Sequence, residues 1–151
     1  MHHFIADRIV VYTPQQMFDL VADVEKYPEF VPLCKKIVVH SHEKQDRDVI
    51  IIASMKIGYI GMHETFVTQV KMQKDKNRIV VQHVKYLFNF LENHWNFEET
   101  PSGGCIVRFS IKYELKNRLF DKILNKMFNN AFLSFAKEFE KRAKIIYGSI
   151  Q

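Results

Sequence analysis

The stretch "RLFDKILNKMFNNAFLSFAKEFEKRAKIIY", residues 118–147, decides the fold. Its apolar residues Phe120, Ile123, Leu124, Met127, Phe128, Ala131, Phe132, Phe135, Phe139, Ala143 and Ile146 recur at steps of three and four. That is the spacing that lines one face of an α-helix. It predicts one amphipathic helix of about 28 residues, roughly 40 Å long at 1.5 Å rise per residue. So long an apolar face needs an extended apolar partner.

The preceding eighty residues offer one. From about Cys34 to Leu115 the dominant period is two: Val49, Ile51, Ala53, Met55 and Ile57 alternate, then Met62, Phe66, Val70 and Met72, then Val107, Phe109, Ile111 and Tyr113. Alternation of this kind marks strands with one apolar and one polar face. Turn-forming runs "HEKQDRD", "GYIG", "KDKN" and "TPSGG" separate them, so about six strands form an antiparallel meander. The first ten residues, rich in β-branched side chains, read as a further strand. In "YTPQQMFDLV" a helix starts, with Thr13 as N-cap, Pro14 at the first helical position and Gln16 closing a capping box. Pro28 ends or breaks that helix near Asp23 to Tyr27. The long C-terminal helix is therefore expected to lie across the concave face of a curved sheet. Five phenylalanines on its face leave either a filled aromatic core or a cavity between the layers.

At 151 residues, 47% of them hydrophobic and 26% charged, the chain reads as a single folded domain spanning 1–151. Two cysteines, Cys34 and Cys105, make no disulfide framework and suggest a reducing compartment. No signal peptide, transit peptide or uncharged run of membrane-spanning length is visible. Nucleophile elbow, Walker loop, dinucleotide-binding glycines, zinc-binding cysteines and metalloprotease histidine pairs are all missing from the sequence. The expectation is a non-enzyme with no catalytic residues, no metal and no required cofactor. His40 and His42 are read as sharing one solvated strand face, and Cys34 as a buried, inert thiol.

Three segments carry a more specific signal: "YTPQQMFDLVADVEKYPEFVPLC", "LFNFLENHWNFEET", and "VRFSIKYELKNRLFDKILNKMF" followed by "FEKRAKIIYG". Together they resemble the coenzyme Q-binding family of START-like proteins in the polyketide cyclase/dehydrase superfamily, which includes the mitochondrial coenzyme Q chaperone and the bacterial ribosome association toxin. The resemblance runs in register over essentially the whole chain. It implies an α+β helix-grip fold of the START/Bet v 1 kind: a strand, two short helices, six more strands completing a curved seven-stranded antiparallel sheet, and a long C-terminal helix gripped by it. It also implies that the space between helix and sheet is a ligand tunnel. In one place the chain departs from the family pattern. In "VKYLFNF", Tyr86 and Leu87 stand where bacterial relatives usually carry glycine and proline.

With that fold in view, Phe18, Phe66, Trp95, Phe109, Phe128, Phe132 and Phe135 are expected on the tunnel wall, and Tyr27, Phe30 and Leu33 at its mouth, where Pro28 and Pro32 make the chain extended and stiff. Two polar residues sit in phase with apolar neighbours, Glu64 with Met62 and Phe66, Asn93 with Leu91 and Trp95. Each should point into the layer that the helix covers and meet a partner there, either inside the fold or on a ligand head group, because a buried polar group left unpaired costs roughly 1–3 kcal/mol. The implied ligand is ubiquinone or a related isoprenoid, bound by a quinone chaperone that supports respiration or ubiquinone biosynthesis.

Charge supplies the rival reading. From Lys112 to Lys144 there are nine Lys/Arg against four Asp/Glu, and Arg118, Lys122 and Lys126 form one i, i+4 stripe. Such a stripe is usually a solvated face, but it would also hold the protein peripherally against anionic lipid or against a ribosome, the latter matching a toxin-like protein that blocks subunit joining. No DNA partner is expected. A cyclase-like enzyme is the third alternative. A composition rich in Lys, Ile, Phe and Asn points to a bacterial protein, in the cytoplasm or peripheral to the inner membrane.

Overall fold

The computed structural model of the chain describes residues 1–59 and 61–148; the side chains of Tyr59, Leu124 and residues 127–136 lie outside the described set. Strand β1 (His2–Val10) leads into helix α1 (Pro14–Ala22) and a 3-10 helix (Val24–Glu29). Strands β2 (Cys34–Gln45), β3 (Asp48–Tyr59), β4 (Met62–Gln73), β5 (Arg78–Lys85), β6 (Phe88–Glu99) and β7 (Cys105–Leu115) follow, and helix α2 (Arg118–Tyr147) ends the chain. All seven strands form one antiparallel sheet in the order β1-β7-β6-β5-β4-β3-β2. The helix-grip architecture expected from the sequence is the one observed.

Local chemistry explains the elements. The Thr13 hydroxyl accepts from the Gln16 amide while the Gln16 side chain accepts from the Thr13 amide, so α1 starts on a closed capping box. Asn117 opens α2 by accepting from the amides of Leu119 and Phe120. Register shifts at Cys34/Lys36, Val39/Ser41, Val67/Thr68 and Phe88/Phe90 interrupt the ladders. Such bulges bend and twist a sheet, which is how this one curves around a helix. The shift at Val39/Ser41 also breaks the alternation that puts His40 in phase with His42; the His40 ring instead meets the Ser54 hydroxyl at 2.9 Å, exposed to solvent.

Two sequence expectations need correction. Pro28 does not stand in an extended segment but inside the 3-10 helix, where its fixed φ is compatible and its missing amide is tolerated in so short an element. Ile146, counted on the apolar stripe, is 48% exposed. The helix ends against α1 through Tyr147 instead, whose hydroxyl donates to Gln16 O at 2.8 Å.

The core falls into two clusters. One gathers α1, Trp95, Phe97, Phe109, Phe139 and Ala143. The other gathers Ile57, Phe66, Leu87, Phe88, Tyr113 and Phe120. Helix α2 is therefore buried against the sheet near its start, through Phe120, and again near its end, through Phe139 and Ala143. Polar ties reinforce both ends. His2 Nε2 meets Asp121 Oδ2 at 2.8 Å near the first turn, and Arg8 pairs with Glu140 and Arg142 with Glu29 further along.

Candidate functional site: an apolar cavity between sheet and helix

A cavity of about 170 Å³ lies between the two core clusters. At roughly 30 Å³ for each water's share of liquid volume, that is room for about half a dozen waters, far more than the interstices of a close-packed interior. Strands β3 to β7 form its floor through Met55, Phe66, Val70, Val81, Trp95 and Ile111, and Phe139 of α2 faces them. Alternation puts these side chains there: Phe66 and Val70 share one face of β4, and Phe109, Ile111 and Tyr113 one face of β7.

Among the described residues, few polar atoms reach the wall. Asn93, 8% exposed, donates through Nδ2 to Ser110 O and accepts at Oδ1 from the Trp95 indole, both at 2.9 Å. The sequence expectation that Asn93 points inward and meets a partner is met inside the fold. Thr68 and Tyr113 also line the cavity. Burial pushes the Tyr113 phenol well above its ordinary pKa, with the nearby Asp121 carboxylate adding to the shift. Burial does the same to Tyr27, whose hydroxyl donates to Val21 O, and the Cys34 thiol and Asp23 reinforce it. Both phenols stay protonated near neutrality.

Of the residues singled out in the sequence, Tyr27, Leu33, Phe66, Asn93, Trp95 and Phe109 line the cavity. Three do not. Phe18 is buried in α1 but stacks edge-on against Phe97 at 6.0 Å, and Phe97 in turn stacks on Trp95, so one ring layer separates Phe18 from the cavity. Phe30 follows the 3-10 turn to the helix side, edge-on to Tyr27 and Phe139 and beneath the Arg142 guanidinium at 5.2 Å. Glu64 is half-buried opposite Ile57, one inward step nearer the β3–β4 turn than Phe66, and stands beyond the cavity wall. Phe128, Phe132 and Phe135 lie outside the described side chains.

Sequence reasoning missed Leu87, Phe88 and Tyr113, which close one end of the space or of the cluster beside it. The turn joining β5 to β6 falls on Tyr86 and Leu87, with φ of 71° and 67°. Both residues occupy the left-handed region, which costs a non-glycine residue of order 1–2 kcal/mol. Leu33, at φ 68°, is strained in the same way and stands on the cavity wall near Ile57, whose neighbour Gly58 donates to Leu33 O at 3.0 Å. Strain thus concentrates at the Ile57–Phe88 end of the cavity.

A family model described as polyketide cyclase/dehydrase and lipid transport matches residues 10–140. The chain belongs to that family. Within the polyketide cyclase/dehydrase and lipid transport family it is 28% identical over 140 residues to the ribosome association toxin RatA of Vibrio cholerae, covering 93% of this chain and 94% of the relative. It is 29% identical over 144 residues to the mitochondrial coenzyme Q-binding protein COQ10 homolog B of Xenopus laevis, covering 93% of this chain and 57% of that longer relative. The solution structure of an 18 kDa Caulobacter crescentus protein superposes with a TM-score of 0.82 at 30% identity, over 99% of this chain and 100% of the other. No described helix is long and apolar enough to cross a membrane.

Proposed function

We propose that the chain binds an isoprenoid quinone, or a lipid of similar shape, in the cavity and carries it without converting it. The observation that carries this reading is the cavity itself, whose wall among the described residues is apolar except for a small set of hydroxyl and amide groups. Apolar walls suit a prenyl tail, at ~0.8 kcal/mol per buried CH₂ against the cost of ordering the chain. The few polar groups suit an oxygenated head. Among the described lining residues the ionisable ones are Tyr27 and Tyr113, and both are held protonated. That favours a carrier over acid–base chemistry, which works best with groups that titrate near the working pH. The relative named as a coenzyme Q-binding protein supports the choice of ligand.

Trp95 is the chain's one tryptophan and lies on the wall, so a bound quinone should quench its emission. Titration with a short-chain ubiquinone is expected to give saturable quenching that is nearly indifferent to salt, and Val81→Phe, which fills the cavity, should abolish it in a folded protein. Native mass spectrometry of protein from a quinone-producing host should show the same lipid bound. If neither added nor co-purified quinone associates with the folded chain, the reading is wrong.

A second reading has its own support: the toxin-named relative matches over nearly its full length, and Arg118, Lys122 and Lys126 are all exposed. It predicts co-sedimentation with ribosomal subunits that collapses as salt is raised.

A further inference from the structure

The end of the cavity where strain concentrates also carries two exposed apolar side chains. Tyr86 and Leu119 are 54% and 55% exposed there. They sit on segments tied together: Lys116 N donates to Leu87 O at 2.9 Å, and Asn117 caps the helix turn that carries Leu119. The Tyr86–Leu87 turn splits its two side chains. Leu87 is 8% exposed within the cluster that closes the cavity, and the Tyr86 ring projects outward with Lys85 Nζ 5.1 Å from its centre. A strained turn that holds an aromatic ring in water has no packing rationale, and strain of this kind tends to be retained where function needs it.

The segments that carry this apolar pair also carry five cations. Lys85, Lys116, Arg118, Lys122 and Lys126 are exposed, and none is ion-paired among the described residues. Some other exposed cations of the fold are committed, Arg47 to Asp75, Arg108 to Asp7 and Glu98, Lys141 to Glu138, while others such as Lys44, Lys56 and Lys112 have no ion pair among the described residues. Of the acids nearby, Asp121 is taken up by His2, and Glu114 lies on the outer face of β7. The result is an exposed tyrosine and leucine on two tied segments that also carry five basic side chains with no ion pair among the described residues. Tyrosine favours the headgroup level of a bilayer, and each Lys or Arg near an anionic surface adds about fivefold to binding.

We infer that this end of the molecule, Tyr86 and Leu119 with Lys85, Lys116, Arg118, Lys122 and Lys126, seats on a bilayer containing anionic lipid, turning the cavity toward the phase from which a lipid ligand comes. The inference rests on the reading that the cavity takes a lipid. Negatively charged headgroups match the cations, and the acyl boundary matches Tyr86 and Leu119.

Flotation with vesicles tests it. The protein should float with phosphatidylcholine vesicles containing about a third phosphatidylglycerol and stay behind with phosphatidylcholine alone, the difference fading at high salt. Lys122→Gln with Lys126→Gln should weaken binding about 25-fold. Tyr86→Asn, which suits the left-handed backbone, with Leu119→Gln should weaken it at least tenfold. Both variants should retain quinone quenching when quinone is delivered from cyclodextrin. Equal binding to both vesicle types, or full binding by the Tyr86→Asn/Leu119→Gln variant, overturns the docking surface. So does loss of ribosomal-subunit sedimentation on Lys122→Gln/Lys126→Gln together with no flotation, which assigns the surface to the ribosome. Flotation without any quinone binding would leave the docking surface standing and remove the proposed ligand.

Discussion

At position 93 an amide faces a nearly apolar cavity with both halves already engaged, Nδ2 by Ser110 O and Oδ1 by the Trp95 indole. Asn93→Leu would leave the buried indole N–H and the Ser110 carbonyl without that partner, so it should lower stability by about 1–3 kcal/mol in a urea titration and change the Trp95 emission. The inward aim of Asn93 was legible from its phase with Trp95. Its partner was not, because Ser110 lies on β7 and only the strand register brings it there. Glu64 shows the opposite failure: its phase was read correctly, but alternation does not say how far along a strand a cavity extends. The two thiols make a second prediction at this scale. Burial pushes both Cys34 and Cys105 up to about 11 from an ordinary 9.0. Neither should react with an aromatic disulfide reagent in the native protein near pH 8, and both should react at once in denaturant. The unfolded chain releases these protons first as pH rises, so the stability they contribute is intact below about pH 9 and is lost as pH climbs through 11.

Among the elements, α1 and the β5–β6 turn differ most in what their sequences disclose. The capping box of α1 is written in four adjacent residues, Thr13 to Gln16, so pattern alone located the helix start. The turn at Tyr86 and Leu87 carries neither glycine nor asparagine, the residues that ordinarily supply two successive positive φ angles. Only the comparison with the family pattern flagged the site. Tyr86→Gly removes a left-handed tyrosine without disturbing a buried side chain. It should raise stability by about 1 kcal/mol, or some 2–4 °C in thermal midpoint. Leu87→Gly relieves the same strain but deletes a residue from the cluster beside the cavity, so it should be destabilising.

For the molecule as a whole, the decisive signal was a mismatch of demand: a long apolar helix face and a meander with one apolar face each needed the other. Periodicity could show that and could not show strand order, since nothing local tells β1 to pair with β7 rather than with β2. Nor could it distinguish a filled core from a cavity, which depends on whether facing side chains meet. A sheet of this topology is dominated by distant contacts. Refolding followed by Trp95 fluorescence should therefore run in milliseconds to seconds rather than microseconds.

That pairing of β1 with β7 has a consequence during translation. His2 and Tyr113 are ladder partners although more than a hundred residues separate them. As the chain leaves the ribosome, β2 to β6 can zip hairpin by hairpin, each strand finding the one just made. Residues His2–Val10 emerge before the other strands and have no edge to join until Cys105–Leu115 has cleared the exit tunnel. At 5–20 residues per second this is a wait of roughly 5–20 s. Throughout it, a strand carrying Ile5 and Ile9 stays unpaired while neighbouring ribosomes on the same message expose identical copies. Crowding on a polysome should therefore favour misassembly of this protein, and slower initiation should improve its yield.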